Sequence, residues 1–277
     1  MTDVHAYRDA IDPDCVIGTC SMNNCLYPHC VAKRSETMSE VAAVQSYNRS
    51  VNLMTMPDRI RRLPISPKGF PVPWFVVWFK DGKPCHDGQG EPDFRVTDPR
   101  KIKKAVDNHL CWTCGTAMGV HKAFVIGPMC AVNRVISEPP SHRDCAIWAA
   151  CNCPFLANPA MRRNEKGNYD ENGKLRDGLL EPAGHGLKRN PGAVCVWMTK
   201  GYKLFHPEHG QPGVLFSIGR PNEVMWFAEG RRATRDEVMA SIDSGFPLLI
   251  DLARQQGTEA VAALHVQREV AMALVPD

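Results

Sequence analysis

The sequence predicts an α+β fold, and three observations carry that prediction. Short β-branched and aromatic runs such as Trp74-Phe75-Val76-Val77-Trp78-Phe79 are bounded by turn residues, as strands are. Helix-start signals stand at Asp98-Pro99 and at Thr234-x-x-Glu237. Between them lie two pairs of thiol and imidazole residues, Cys111-x-x-Cys114 and His142-x-x-Cys145, with the spacing of metal ligands.

In chain order, residues 1–56 read as a loosely ordered, Cys-containing extension. Cys15, Cys20, Cys25 and Cys30 recur every five residues, with His29 beside the last. Four intervening residues is the loose edge of ligand spacing, so free thiols are expected and a second metal cluster is the alternative. Met54 and Met56 stand where globular patterning begins, which allows part of this extension to lie upstream of the functional start.

Residues 57–158 read as one continuous unit. Arg59-Ile60-Arg61-Arg62 leads into a Pro- and Gly-stiffened loop, then the strand at 74–79. Asp81-Gly82 signals a turn, and Asp93-Phe94-Arg95-Val96 supplies a return strand after a loop holding Cys85 and His86. Asp98 caps a helix through 100–106 with Pro99 at its first position. That helix delivers the chain to Cys111-Trp112-Thr113-Cys114-Gly115, where glycine supplies positive φ for a tight turn aiming both sulfurs at one point. Ala123-Phe124-Val125-Ile126-Gly127-Pro128 is a short strand with its stop, and Pro139-Pro140 halts the chain again. Ser141 is expected to N-cap the next helix, with Asp144 three residues on and His142 and Cys145 on one face of its first turn.

Residues 159–192 lose all apolar periodicity and read as a polar loop or linker, with His185 as a flexible surface histidine. Order returns over 193–277, a C-terminal β-hairpin and helical unit packed on the middle region. Strands are expected at 193–198, 213–218 and 223–228, the last two joined as a hairpin by Gly219-Arg220-Pro221-Asn222. Thr234 and Glu237 form a capping box, Gly245 is the expected helix stop, and 246–256 and 259–274 supply two further helical segments. Leu248, Leu249, Leu252, Val261, Leu264 and Val266 are assigned to the core.

The order knuckle, β-hairpin, ligand pair at a helix start is that of a treble-clef zinc finger. Cys111, Cys114, His142 and Cys145 are therefore the expected Zn2+ ligands, with Cys130 in reserve as a replacement for His142 and Cys151 and Cys153 as packing residues. Four protein ligands fill the shell, which makes the ion structural and its binding energy folding energy. On that basis Cys114→Ser should unfold the middle region and leave the C-terminal helices partly formed. Treble-clef scaffolds also carry HNH-type nucleases, and His121, Asn133 and His142 occur in the required order, with His121 as the general base. Two departures weigh against that alternative: zinc claims His142, and no acidic residue adjoins His121. Clustered cations at Arg100, Lys101, Lys103, Lys104, Arg162 and Arg163 suggest contact with nucleic acid, whereas Trp112 or Trp148 as an anchor suggests a protein partner.

A chain of 277 residues, 44% hydrophobic and 23% charged, has the composition of an ordinary soluble protein of one or two domains. A net charge of +3 is too mild to imply nucleic acid by itself. Twelve cysteines in ligand-like groups, without a basic and apolar leader, fit a reducing cytoplasm better than a disulfide framework. No apolar run approaches membrane-spanning length, and no small-molecule cofactor motif is evident. From Arg59 to Leu156 and again over Phe216–Val238, the chain resembles a set of uncharacterised proteins of phages, prophages and actinomycetes. The marks are Gly127-Pro128-Met129-Cys130, Pro139-Pro140-Ser141-His142 and Cys153-Pro154-Phe155-Leu156. That resemblance implies a zinc-bearing phage-type protein and no assigned reaction.

Overall fold

The computed structural model describes residues 47–162, 168–176, 178–180, 183–184, 190–207 and 213–277. The four N-terminal cysteines, Arg163 and His185 lie outside the described residues. Arg49–Asp277 forms one compact unit of mixed helix and sheet.

After a short helix α1 (Asp58–Arg61), the aromatic run forms β1 (Val76–Lys80). Asp81 and Gly82 both adopt left-handed φ, 52° and 74°, which turns the chain tightly into β2 (Lys83–Cys85), a strand the sequence pattern did not signal. The return strand β3 (Glu91–Thr97) pairs on the other side of β1, giving a three-stranded antiparallel sheet. Asp98 caps α2 (Pro99–Asp107) as expected, its carboxylate accepting from the Arg100 amide. The next elements are β4 (Lys122–Ile126), α3 (Pro128–Asn133), β5 (Val135–Ile136) and α4 (Arg143–Asn152).

The C-terminal third supplies β6 (Val194–Thr199), β7 (Tyr202–Phe205), β8 (Leu215–Ile218), β9 (Glu223–Ala228) and β10 (Arg231–Arg232). Two helices close the chain, α5 (Arg235–Gln256) and α6 (Thr258–Met272). The central sheet has the order β10-β9-β6-β4, so a strand from the middle region lies beside strands from the C-terminal third. β4 and β6 pair over five positions, from Lys122↔Thr199 to Ile126↔Cys195. The polar stretch at 159–192 is therefore no break in the fold; the sheet runs across it. Part of that stretch also docks, since Leu179 is buried against Val77 and Val96 of the first sheet.

Both faces of the central sheet are covered, which is why all six residues of β6 are buried. Side chains alternate across the sheet. Val194, Val196 and Met198 join Ala146 and Ala150 of α4, while Cys195 and Trp197 join Phe124, Phe216, Trp226 and α5 residues Val238 and Ile242.

Three local expectations are corrected. The strands β8 and β9 are not a hairpin: β8 pairs with β7 and β5, and β9 with β6 and β10. Gly245 does not stop a helix; α5 runs through it and through Pro247 to Gln256. The glycine is buried there, and a Cβ would come within 2.6 Å of the Met129 sulfur of α3, so it permits close helix packing rather than termination. Leu248 and Val266 are exposed, at 46% and 65%, because α6 and α3 cover other faces of this helical hairpin. Among the described residues no helix is long and apolar enough to cross a membrane.

Candidate metal centre

Two segments far apart in sequence converge. The first is the knuckle. Gly115 has φ +72°, as its place after the second cysteine requires, and its amide donates to the Cys111 carbonyl at 2.8 Å. A Cβ at Gly115 would also strike the Trp74 ring at 2.6 Å, so glycine serves both the turn and the ring packed on it. The Trp74 amide donates to the Thr113 carbonyl at 2.7 Å, and Trp112 stacks on Phe75 with centroids 5.1 Å apart.

The second segment is the start of α4. Here the expected cap moves by one residue: His142, not Ser141, occupies the N-cap position, without a side-chain capping bond. The Ser141 hydroxyl is engaged instead with Thr113 Oγ1, at 2.9 Å. Asp144 accepts from the Cys145 amide and pairs with Arg59.

The donor atoms of Cys111, Cys114, His142 and Cys145 all lie within 4.8 Å of one another, a set that can hold a metal ion. His142 Nδ1 is 3.5 Å from Cys114 Sγ and 4.0 Å from Cys145 Sγ. Its Nε2 lies 3.0 Å from the Ala117 carbonyl, to which it donates, and that bond turns Nδ1 toward the sulfurs. Cys111 Sγ accepts from the amides of Cys114 at 3.5 Å and His142 at 3.3 Å, and Cys114 Sγ meets the Thr116 hydroxyl at 3.2 Å. Such bonds spread thiolate charge.

By themselves the four groups share protons unequally. Hydrogen bonding from Cys111 and then Cys145 holds the Cys114 thiol far below its ordinary range, against its burial. Hydrogen bonding with Cys111 and Cys114, together with burial, drives the Cys145 thiol up. His142 is raised to about 10, chiefly by its bonds to Cys111 and Cys114. These couplings follow from how closely the sulfurs and the imidazole are packed, and a divalent cation bound among them would displace the shared protons.

The other expected residues fall elsewhere. Cys130 sits on α3 and packs against the aromatic core, outside the ligand group, and Cys151, in the last turn of α4, packs against the cluster between that helix and the sheet. His121 is exposed just before β4, and Asn133 uses its Oδ1 to accept from the Val135 amide. Among the described residues the Cys111, Cys114, His142 and Cys145 group is the only gathering of three or more such metal donors. Trp112 and Trp148 are buried, at 4% and 7% exposure, and present no surface to a partner.

On α2, Arg100 is bonded to Asp98, Lys103 to Asp107, and Lys101 is buried with its ammonium on Asp87 at 2.6 Å. Lys104 and Arg162 are exposed. The contributions of Thr113, Thr116, Ala117 and Ser141 around the sulfurs were missed, because hydroxyls and a backbone carbonyl in a supporting role carry no sequence pattern. Compared with known protein families, curated proteins and solved structures, the chain finds no match in any of the three.

Proposed function

We propose that Cys111, Cys114, His142 and Cys145 hold one zinc ion in a closed structural site of treble-clef type, and that the protein is a zinc-stabilised, non-catalytic binding scaffold. The convergence of four donors within 4.8 Å carries this reading. Zn–S and Zn–N bonds of about 2.3 and 2.0–2.1 Å in a tetrahedron imply sulfur–nitrogen edges of about 3.5 Å and sulfur–sulfur edges of about 3.8 Å. The His142 contacts of 3.5 and 4.0 Å fit those edges with small adjustments. Three thiolates and an imidazole suit zinc, and iron is the rival that the same soft donors would accept. Four protein ligands leave no position for water or substrate, which supports a structural rather than a catalytic ion.

The treble-clef assignment rests on the order of knuckle, β4 and ligand-bearing helix start, with one departure. The chain inserts α3 and β5 before it returns to β4, and the return is a two-bond bridge between Ala123 and Ser141. Three of the four α2 cations are engaged by carboxylates and both tryptophan anchors are buried, so neither pattern selects between a nucleic-acid and a protein partner for the scaffold. The phage-type resemblance is compatible with such a role and adds no reaction.

Elemental analysis of the purified protein tests the metal: one zinc per chain is expected from this site, and Cys114→Ser should reduce it to background. Iron in its place, or full zinc retention by the variant, would overturn the assignment. Incubation with plasmid and magnesium or manganese should leave the DNA intact; cleavage abolished by His121→Ala would establish the nuclease alternative.

A further inference from the structure

We infer that Ser141 is the positioning residue of the metal centre, its buried hydroxyl joining the two ligand-bearing segments so that the site is a preformed socket. This deepens the zinc reading above and rests on it. Ser141 immediately precedes the ligand His142 and is only 4% exposed; Thr113, between the two knuckle cysteines, is 6% exposed. The Ser141 Oγ accepts from the Thr113 amide at 3.3 Å and meets Thr113 Oγ1 at 2.9 Å. On its backbone side, Ser141 exchanges two hydrogen bonds with Ala123 of β4, at 2.7 and 2.9 Å. One residue thus fastens the knuckle to the helix start and both to the central sheet.

Neighbouring bonds run in the same direction: the Trp112 amide donates to the Pro140 carbonyl at 2.9 Å, and the His142 amide to Cys111 Sγ. None of these contacts uses the ion. The two ligand pairs are therefore held face to face by the protein, and the metal enters a site whose ordering cost is already met.

Removing the Ser141 hydroxyl would leave the Thr113 amide and hydroxyl buried without their acceptor and partner, and would let the two ligand pairs drift apart. Outer partners of metal ligands typically govern affinity by about 10–100-fold. Competition with a chromophoric chelator should show that loss for Ser141→Ala and a smaller one for Thr113→Val. Ser141→Thr, which keeps the hydroxyl, should recover most of the affinity. The cobalt-substituted Ser141→Ala protein should show broadened or shifted ligand-field bands, because its tetrahedron is less well held.

Ser241→Ala is the control, since it removes another buried hydroxyl, one that donates to the Pro191 carbonyl from α5. It should lower thermal stability yet leave zinc affinity unchanged. Wild-type affinity in both Ser141→Ala and Thr113→Val, or an equal loss in Ser241→Ala, would overturn the inference. If Ser141→Ala fails to fold, the Thr113→Val affinity and cobalt spectrum decide it. A wild-type chain that binds no metal would instead sink the zinc reading itself, so the two failures are distinguishable.

Discussion

The two faces of the central sheet are built on different principles. Under α5 and α3 the sheet packs large side chains: Phe124, Trp197, Phe216 and Trp226 with Val238 and Ile242. Under α4 it packs mostly smaller ones, Ala123, Ala146 and Ala150 against Val194, Val196, Met198 and Met225, with Phe227 as the aromatic among them. Burial of aromatics removes a large apolar area from water and contributes strongly to holding a helix on the sheet. The alanine face lets α4 approach closely but buries less per residue, and at the head of that helix stand His142 and Cys145. A metal held there, as proposed, would anchor the helix at the end where hydrophobic area is short. The faces are coupled, because β6 contributes alternate residues to both.

Trp197→Ala should break the aromatic face most severely. The ring is 1% exposed and its Nε1 donates to the Gly219 carbonyl at 2.9 Å. A loss of about 3–5 kcal/mol in urea unfolding is expected, with zinc content unchanged under native conditions. A loss below about 1 kcal/mol, far short of that range, would mean the face is less tightly packed than its burial implies.

Ala146→Leu probes the opposite face by overfilling it. Ala146 is fully buried and immediately follows the ligand Cys145. A cost of about 1–3 kcal/mol is expected, accompanied by weaker zinc retention against a chelator, since the helix cannot be pushed from the sheet without moving its first turn. Tolerance of leucine with unaltered retention would show that closeness is not what this face provides.

The helix starts sharpen the contrast at smaller amplitude. α4 has no side-chain capping bond, whereas α5 carries a full capping box between Thr234 and Glu237. Thr234→Ala should cost about 1 kcal/mol by thermal unfolding. Bonds from Arg231 and then the Thr234 amide lower the Glu237 carboxyl from 4.5 to about 2. A depressed carboxyl stabilises the fold above its unfolded value, and the contribution is lost as pH falls from about 4.5 toward about 2. A stability profile over that range should lose this acid-side slope in Glu237→Gln; an unchanged slope would show that other carboxylates produce it.

The difference between the faces also bears on Cys114→Ser. From sequence, the middle region was expected to unfold by itself around a missing ion. With β4 inside a sheet shared with β6 and β9, that region has no separate melting boundary. Loss of the ion should therefore lower the stability of the whole of 49–277 rather than unfold the middle region by itself.

Local chemistry was the legible part. Asp98-Pro99 and Thr234-x-x-Glu237 act within a turn of themselves, and both cap helices as their residue types require. The ligand pairs were legible because each spacing places its donors close together through local backbone geometry. The Ser141 cap was misread because its hydroxyl had two competing uses, and a buried partner at Thr113 prevailed over a helix amide. Gly245 was misread for a related reason: glycine ends helices, but it also admits a neighbour, and only the presence of Met129 distinguishes the two.

The sequence by itself determined the main strands at 74–79, 123–126, 194–198 and 223–228, where two helices begin, and which four side chains suit a metal. Tertiary structure alone decided that β4 lies against β6, that β8 and β9 part into different sheets, and that knuckle and helix start face one another. The physical reason is range. Caps and turns are settled by backbone groups a few residues apart, whereas strand partnership depends on which alternating faces find complementary volume across long stretches of chain.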